Sequence, residues 1–470
     1  MVMKRLSVLA MAMIVMASCA KENVQPNENN DQSNDRRILE IGLASTKTQL
    51  GKEDNGFFPI VWSEGDEIAV IENMGVEGQN VSVYRLKEGA GTANGIFEHI
   101  SGDAFPKVIT DVVYPASAVV PNSTLISEIP IVNVSSLVPK DQTQSYEAGN
   151  FDKNAAVMYF HRNNAADKIV LEPLSSIICI PIKGFDDNDV VTAVKWQNMD
   201  GRTATVTLNC PNGVKLAKGQ ATNFYLSIQP MLKDCNGIAY VYLKNGAIQV
   251  KTPRNLKAFK AGTLHRFPEW TLSKKAKWTI KYIGSERKTS MSNQTPLGLG
   301  QYMIDGNNLS WWEFRRNSKG SMAGPHKVII DLGKTEHIKG LKIKGPETKK
   351  TSSYTVEDNF GKGDISVSDG YNAPAVVFAS FLKEGELTEA FKSTFCNNNS
   401  FEKDAQEVHK AEISKGITSY YGKDMKDYWN INLTKEYDAR YLVIHFYQCW
   451  NDKETGGAAS KMKVAELDIY

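Results

Sequence analysis

The sequence predicts an all-β chain, and three observations predict it. From Ile38 onward, short alternating or continuous apolar runs recur about every 10–15 residues, each at the length of a single strand. Turn residues separate them, as in Gly89-Ala90-Gly91, Asn122-Ser123 and Asn245-Gly246. Long helical periodicities are few, so the strands are not joined by crossover helices, and β-sandwiches or barrels follow. The chain has 470 residues, enough for about three domains.

Composition narrows the function. Hydrophobic residues make up 41% and charged residues 23%, which fits globular modules with real cores. There are 55 Lys and Arg against 53 Asp and Glu, but Lys4 and Arg5 lie in an N-terminal segment read below as removed. The remainder is balanced. A nucleic-acid partner needs a net basic surface or a basic stripe, and neither is present.

Taken in order, residues 1–18 begin with Lys4 and Arg5 and continue as an apolar run from Leu6 to Met16. At about 1.5 Å per residue this run falls short of a hydrocarbon core, so it reads as a signal-peptide core. Met16-Ala17-Ser18-Cys19 resembles a bacterial lipobox, with Met16 where Leu is usual. The resemblance implies cleavage before Cys19 and its lipidation, which makes membrane contact through a lipid anchor alone. A plain secretory signal with an incidental cysteine is the alternative. Residues 19–37 form a tether: almost wholly polar, they cannot bury enough surface to offset ordering. Lys21-Glu22 resembles the surface-export signals of Bacteroidota lipoproteins, which implies the outer membrane and the cell surface.

The strand pattern begins with Leu39, Ile41 and Leu43, then Glu67–Ile71 and Val81–Tyr84. It continues through Ile177–Ile182, Val190–Trp196, Thr203–Leu208, Phe224–Ile228 and Ile238–Leu243. A polar stretch at His161–Asp167 and another at Leu272–Lys275 divide the folded part into 38–163, 164–273 and 276–470. Five cysteines follow Cys19 without zinc spacing. Cys179, inside an isoleucine run, reads as a small buried hydrophobe. Cys210–Cys235 and Cys396–Cys449 stand as bridges or as thiols.

Residues 38–270 carry Thr46-Lys47-Thr48, Val61–Val70 (VWSEGDEIAV), Val113–Ser117 (VYPAS), Gln144, Phe151-Asp152, Val157-Met158 and Ala261–Phe267 (AGTLHRF). In this order they resemble the fimbrillin-like surface proteins of Bacteroidota, with His265 where an aromatic is frequent. Trp62 and Tyr114 read as core anchors, and Gly65-Asp66 as a turn opening a strand. The resemblance implies two transthyretin-like β-sandwiches and a role in pilus assembly or attachment. It also implies proteolytic maturation after Arg37, beside Ile38–Ala44, and strand donation between pilus subunits. The alternative is that Arg36-Arg37 merely ends the tether.

Residues 276–470 carry Ile304–Trp312 (IDGNNLSWW), Pro325–Gly333 (PHKVIIDLG), Ile338–Ile343 (IKGLKI), Ile365–Gly370, Ala439–Ile444 and Val464–Tyr470 (VAELDIY). This series resembles the discoidin, or coagulation factor 5/8 type C, domain, a galactose-binding-like jelly-roll β-sandwich. Trp312 reads as core and Arg440 as a structural ion pair. Positions matching Asp305, Asn307, Ser310 and Glu466 hold a structural calcium ion in carbohydrate-binding relatives. Oxygen donors from a turn plus one distant carboxylate suit that cation, and a metal-free turn is the alternative. Sugar sites pair an aromatic face with planar polar groups. The loop candidates are Trp450, Asn451, Trp311, Arg315, Arg316, Tyr420 and Tyr421, with Trp450 foremost because it follows the Tyr441–Phe446 strand and opens a polar loop; its alternative role is packing.

No HExxH, GxSxG, phosphate loop or dinucleotide fingerprint is present, which argues against an enzyme. The sequence therefore reads as a lipid-anchored surface adhesin, or a minor or tip pilus subunit, binding a glycan or glycoprotein without catalysis. The runner-up is a non-pilus surface lipoprotein that captures polysaccharide for uptake, and a third reading is a purely structural anchor.

Overall fold

The structure is a computed structural model that describes residues 38–43, 49–50, 60–72, 80–102, 109–119, 138–143, 152–164, 167–198, 205–231, 233–251, 253, 256–284, 300–307, 312–315, 326–344, 356–358, 361–363, 374–397, 406–410, 429–449 and 461–470. Among them the chain is nearly all β, as the alternating runs predict, with one α-helix, α1 (Glu389–Asn397). No described helix is long and apolar enough to cross a membrane.

The first ten strands are β1 (Ile38–Leu43), β2 (Gln49–Leu50), β3 (Ile60–Val61), β4 (Glu67–Glu72), β5 (Asn80–Glu88), β6 (Asn94–Ser101), β7 (Asp111–Tyr114), β8 (Asp141–Thr143), β9 (Met158–His161) and β10 (Val170–Pro173). Seven of them close a barrel in the order β1-β10-β9-β7-β4-β5-β6. Closure is the work of β1, antiparallel to β6 with Ile38 opposite Glu98, and parallel to β10 with Gly42 opposite Val170. The expected open sandwich is thus a closed barrel, because β1 satisfies two edges at once. Trp62 anchors the core, its ring edge-on to Phe97 at 4.8 Å and to Tyr114 at 5.6 Å. Gly65, at φ +77°, turns the chain so that buried Asp66 faces inward. There its carboxylate accepts from the Tyr114 hydroxyl at 3.0 Å and the Ser63 N–H at 2.7 Å.

The second unit comprises β11 (Ser176–Lys183), β12 (Val190–Asn198), β13 (Val206–Lys215), β14 (Thr222–Ile228), β15 (Gly237–Leu243), β16 (Ile248–Lys251), β17 (Leu264–Arg266) and β18 (Trp270–Thr271). One sheet runs β14-β11-β17 with β18 also on β11, and the other runs β16-β15-β12-β13-β8. The division at 163–164 is crossed twice. β8, before it, pairs in parallel with β13, and β10, after it, pairs with β9. Buried Gln142 secures β8: its amide donates to the Ser227 carbonyl at 2.7 Å and accepts from the Ser227 N–H at 2.9 Å. The His265 ring lies 4.4 Å from that of Phe259. Cys179, Cys210 and Cys235 are buried thiols, so Cys210 and Cys235 are not bridged to each other. Burial pushes the Cys210 thiol up to about 12. The side chains of Cys396 and Cys449 lie outside the described set.

The C-terminal head comprises β19 (Thr279–Ile283), β20 (Trp312–Arg315), β21 (His326–Lys344), β22 (Val356–Asp358), β23 (Gly361–Gly363), β24 (Pro374–Leu382), β25 (Gln406–Lys410), β26 (Trp429–Cys449), β27 (Lys461–Val464) and β28 (Glu466–Ile469). Its main sheet runs β19-β21-β26-β24-β25, with β28 on β21, and β20 pairs with β27. The long β21–β26 ladder shifts register between Asp331 and Glu336, where Gly333 takes φ +82°. Trp312 is fully buried and packs on Phe446, ring centroids 5.7 Å apart, which is the core role read from its spacing.

One glycine tests the packing of the second core. A Cβ on Gly237 would lie 1.8 Å from the buried Trp196 ring. Gly237→Ala is expected to cost about 1–3 kcal/mol by overpacking, read as a lower urea midpoint at unchanged slope.

Candidate functional site

The head has two places where the sequence puts chemistry, and they lie apart. The first is the turn Asp305-Gly306-Asn307. Gly306 takes φ +78°, and the Asp305 carboxylate accepts from the Asn307 N–H at 2.8 Å. Glu466, on β28, is brought against this turn, facing the Gly306 N–H, and all three polar side chains are buried. Ser310 lies outside the described residues.

Calcium does not fit the residues described here. The Lys275 ammonium already contacts the Glu466 carboxylate, with only 4% of the lysine side chain and 1% of the glutamate exposed. A divalent ion at about 2.3–2.6 Å from Glu466 Oε1, the oxygen that ammonium contacts, would meet it head-on. Burial pushes the Glu466 carboxyl up to about 7, with Lys275 pulling the other way. Among the described residues, no group of three or more His, Cys, Asp or Glu could hold a metal ion.

The second place is the end of the head that points away from the second unit. Arg315 ends β20 opposite Lys461, the first residue of β27. β27 leads back toward Ala465, whose N–H donates to the Lys344 carbonyl at 2.8 Å beside Glu466. In the main sheet His326 stands opposite Phe446, and Pro374 opposite Cys449, so the ends of β21, β24 and β26 lie side by side. His326 lies roughly 17 Å along β21 from Asp331, at about 3.4 Å per residue, and Asp331 faces the second unit. Arg316 follows Arg315 in sequence, and Trp450-Asn451 follow Cys449. Trp311, Arg316, Tyr420, Tyr421, Trp450 and Asn451 lie outside the described residues, as do Cys19 and Arg37; Arg315 is described in its backbone alone.

Between the second unit and the head lies a cleft of about 660 Å³. Lys244, Lys277, Lys281, Lys334 and Arg440 line it with Asp186, Asp189 and Asp331, and several of these charges pair. Lys277 reaches Asp189 at 2.5 Å and Asp186 at 3.0 Å, and Arg440 reaches Asp331 at 3.1 Å and also pairs with Glu384. Lys281 lies 3.4 Å from Asp331. Burial lowers the Lys277 ammonium's pKa, yet the two carboxylates hold it above its ordinary value. Arg440 has the structural ion pair expected of it. Lys274, Lys275 and Lys277 were missed as structural residues, because a lysine-rich run reads as a solvated face. The signal available was their position, between the buried Leu272 and Trp278.

No protein-family model matches the chain, and no curated protein matches it in sequence. Solved structures do resemble its C-terminal part. The C-terminal domain of a chitobiase from Bacteroides fragilis is 14% identical, covering 42% of this chain and 96% of its own, with a TM-score of 0.26. A family 32 carbohydrate-binding module from Clostridium perfringens, in complex with galactose, is 14% identical over 42% of this chain and 94% of its own, with a TM-score of 0.24. One from Streptococcus pneumoniae is 11% identical over 41% and 94%, with a TM-score of 0.23. At TM-scores this low, the likeness decides nothing about ligand or activity.

The cleft's charges separate in a stability measurement. Lys277→Ala leaves the buried Asp189 carboxylate without its ammonium, though the Phe185 and Asp186 N–H groups still donate to it. The expected loss is about 1–2 kcal/mol in urea unfolding, whereas Lys281→Ala, at a more exposed pair, changes stability by less than about 0.5 kcal/mol.

Proposed function

We propose that this chain is a lipid-anchored surface protein whose head binds a glycan without catalysis. The observation that carries the reading is where the candidates sit on the strands: Arg315 ends β20 opposite Lys461, and Cys449, just before Trp450, ends β26 opposite Pro374. Four candidates, Arg315, Arg316, Trp450 and Asn451, belong to these ends or follow them directly in sequence. An aromatic with planar polar groups, at the free end of a rigid stack, is what capture of a saccharide requires. The balanced charge suits a neutral sugar.

Within this reading the protein is an adhesin, as a minor or tip pilus subunit. The pairing of β1 on both sides supports that finer role, since displacing β1, made the new N-terminus by cleavage after Arg37, would open a groove between β6 and β10 for a donated strand.

Two measurements test the reading. On a glycan array, residues 20–470 are expected to retain at least one neutral glycan, and Trp450→Ala to weaken it tenfold or more, about 1.4 kcal/mol. An array that retains nothing sinks glycan binding, and an unchanged Trp450→Ala moves the site elsewhere. Palmitate labelling in a lipoprotein-processing bacterial host is expected to mark the full chain and to disappear in Cys19→Ala; label that persists in the variant overturns the anchor.

A further inference from the structure

The short turn Lys274–Lys277 joins the second unit to the head and is bonded to both. On the head side, Lys274 reaches Asp468 at 2.9 Å and the Ile469 carbonyl at 3.1 Å, and Lys275 contacts buried Glu466. Toward the second unit, Ser273 donates to Gln249 at 2.8 Å, the Asn245 amide donates to the Ala276 carbonyl at 2.7 Å, and Lys277 holds Asp189. The turn that precedes the head's β20 closes the same contact from the other side. Any side chain at Gly306 would press on Ser273 and Gln249, and the Tyr302 ring lies 6.5 Å from that of Tyr240.

We propose that the Lys275 ammonium is the head's resident cation at Glu466. It supplies at Glu466 the positive charge a divalent ion would bring, with Asp468 also 3.8 Å from it, makes the head independent of calcium, and pins it to the second unit. A buried carboxylate needs a positive partner. Here the partner comes from the connecting turn and not from the head, so the charge balance of the head is completed only while the junction is intact. A fragment beginning at residue 276 lacks that ammonium. The inference rests on the junction alone and holds whatever ligand the head binds.

The test uses residues 20–470. Melting in 5 mM calcium and in chelator is expected to coincide within about 1 °C, with no tryptophan-sensitised terbium luminescence. A calcium-dependent rise of several degrees, or saturable terbium uptake, overturns the proposal. Lys275→Met is expected to lower the melting temperature by about 5 °C or more, because it strands Glu466. The double variant Lys275→Met/Glu466→Gln removes both charges and is expected to recover most of that loss. A double variant that melts no higher than the single one overturns the role of Lys275 as the neutralising cation, including the case in which both fail to fold.

Discussion

The barrel and the second unit depend on one strand that is buried on both faces. Ile178, Ile180 and Ile182 of β11 enter the core of the second unit, while Cys179 joins the barrel core together with Tyr225 of the neighbouring β14. Each branched side chain so buried contributes about 1.5–3 kcal/mol, and alternation along a strand sends those contributions to two cores in turn. Cys179 is small enough to fit where the two cores meet, which explains a thiol in a run of isoleucines. The units therefore share a wall, and neither can be removed without exposing part of the other.

The second joint is built differently. The barrel and second unit meet through apolar surface, whereas the second unit and head add, to an apolar cluster of Ile238, Tyr240, Val250 and Tyr302, lysines set against carboxylates and amides. Lys275 is the extreme case, since an isolated buried ammonium or carboxylate would be costly and the pair is tolerable only in contact. Charge pairs of this kind are directional. They fix how the head is set on its support, where an apolar contact would tolerate sliding.

Much of this was legible from residue order. The alternation of Leu39, Ile41 and Leu43, the turn at Gly65-Asp66 and the buried roles of Trp62, Tyr114 and Trp312 all follow from local pattern, and local pattern is what decides them. Which sheet a strand joins was not legible. β8 offers Asp141-Gln142-Thr143, a polar triplet, and its place beside β13 is set by the contacts of Gln142 with Ser227, far away in sequence. The closure by β1 escaped for the same reason, because nothing in Ile38–Leu43 names Val170 as a neighbour. The calcium reading of Asp305, Asn307 and Glu466 found residues that do gather, but the ammonium among them comes from outside the head's own motifs. Trp450 and Asn451 follow the expected strand, and their chemistry stands on sequence alone.

Two of the pairings across the division at 163–164 also set a timetable. A ribosome delivers Gly42 long before Val170, and Gln142 well before Ser227, yet each early residue completes its pairing only with the late one. The first unit thus cannot be finished and set aside while the rest is made. β1 and β8 must be kept from other edges until their partners arrive, and in the interval each offers unpaired backbone to any strand that passes. A nascent chain of this design gains from being held extended until most of it has been delivered, so that barrel and sandwich close together.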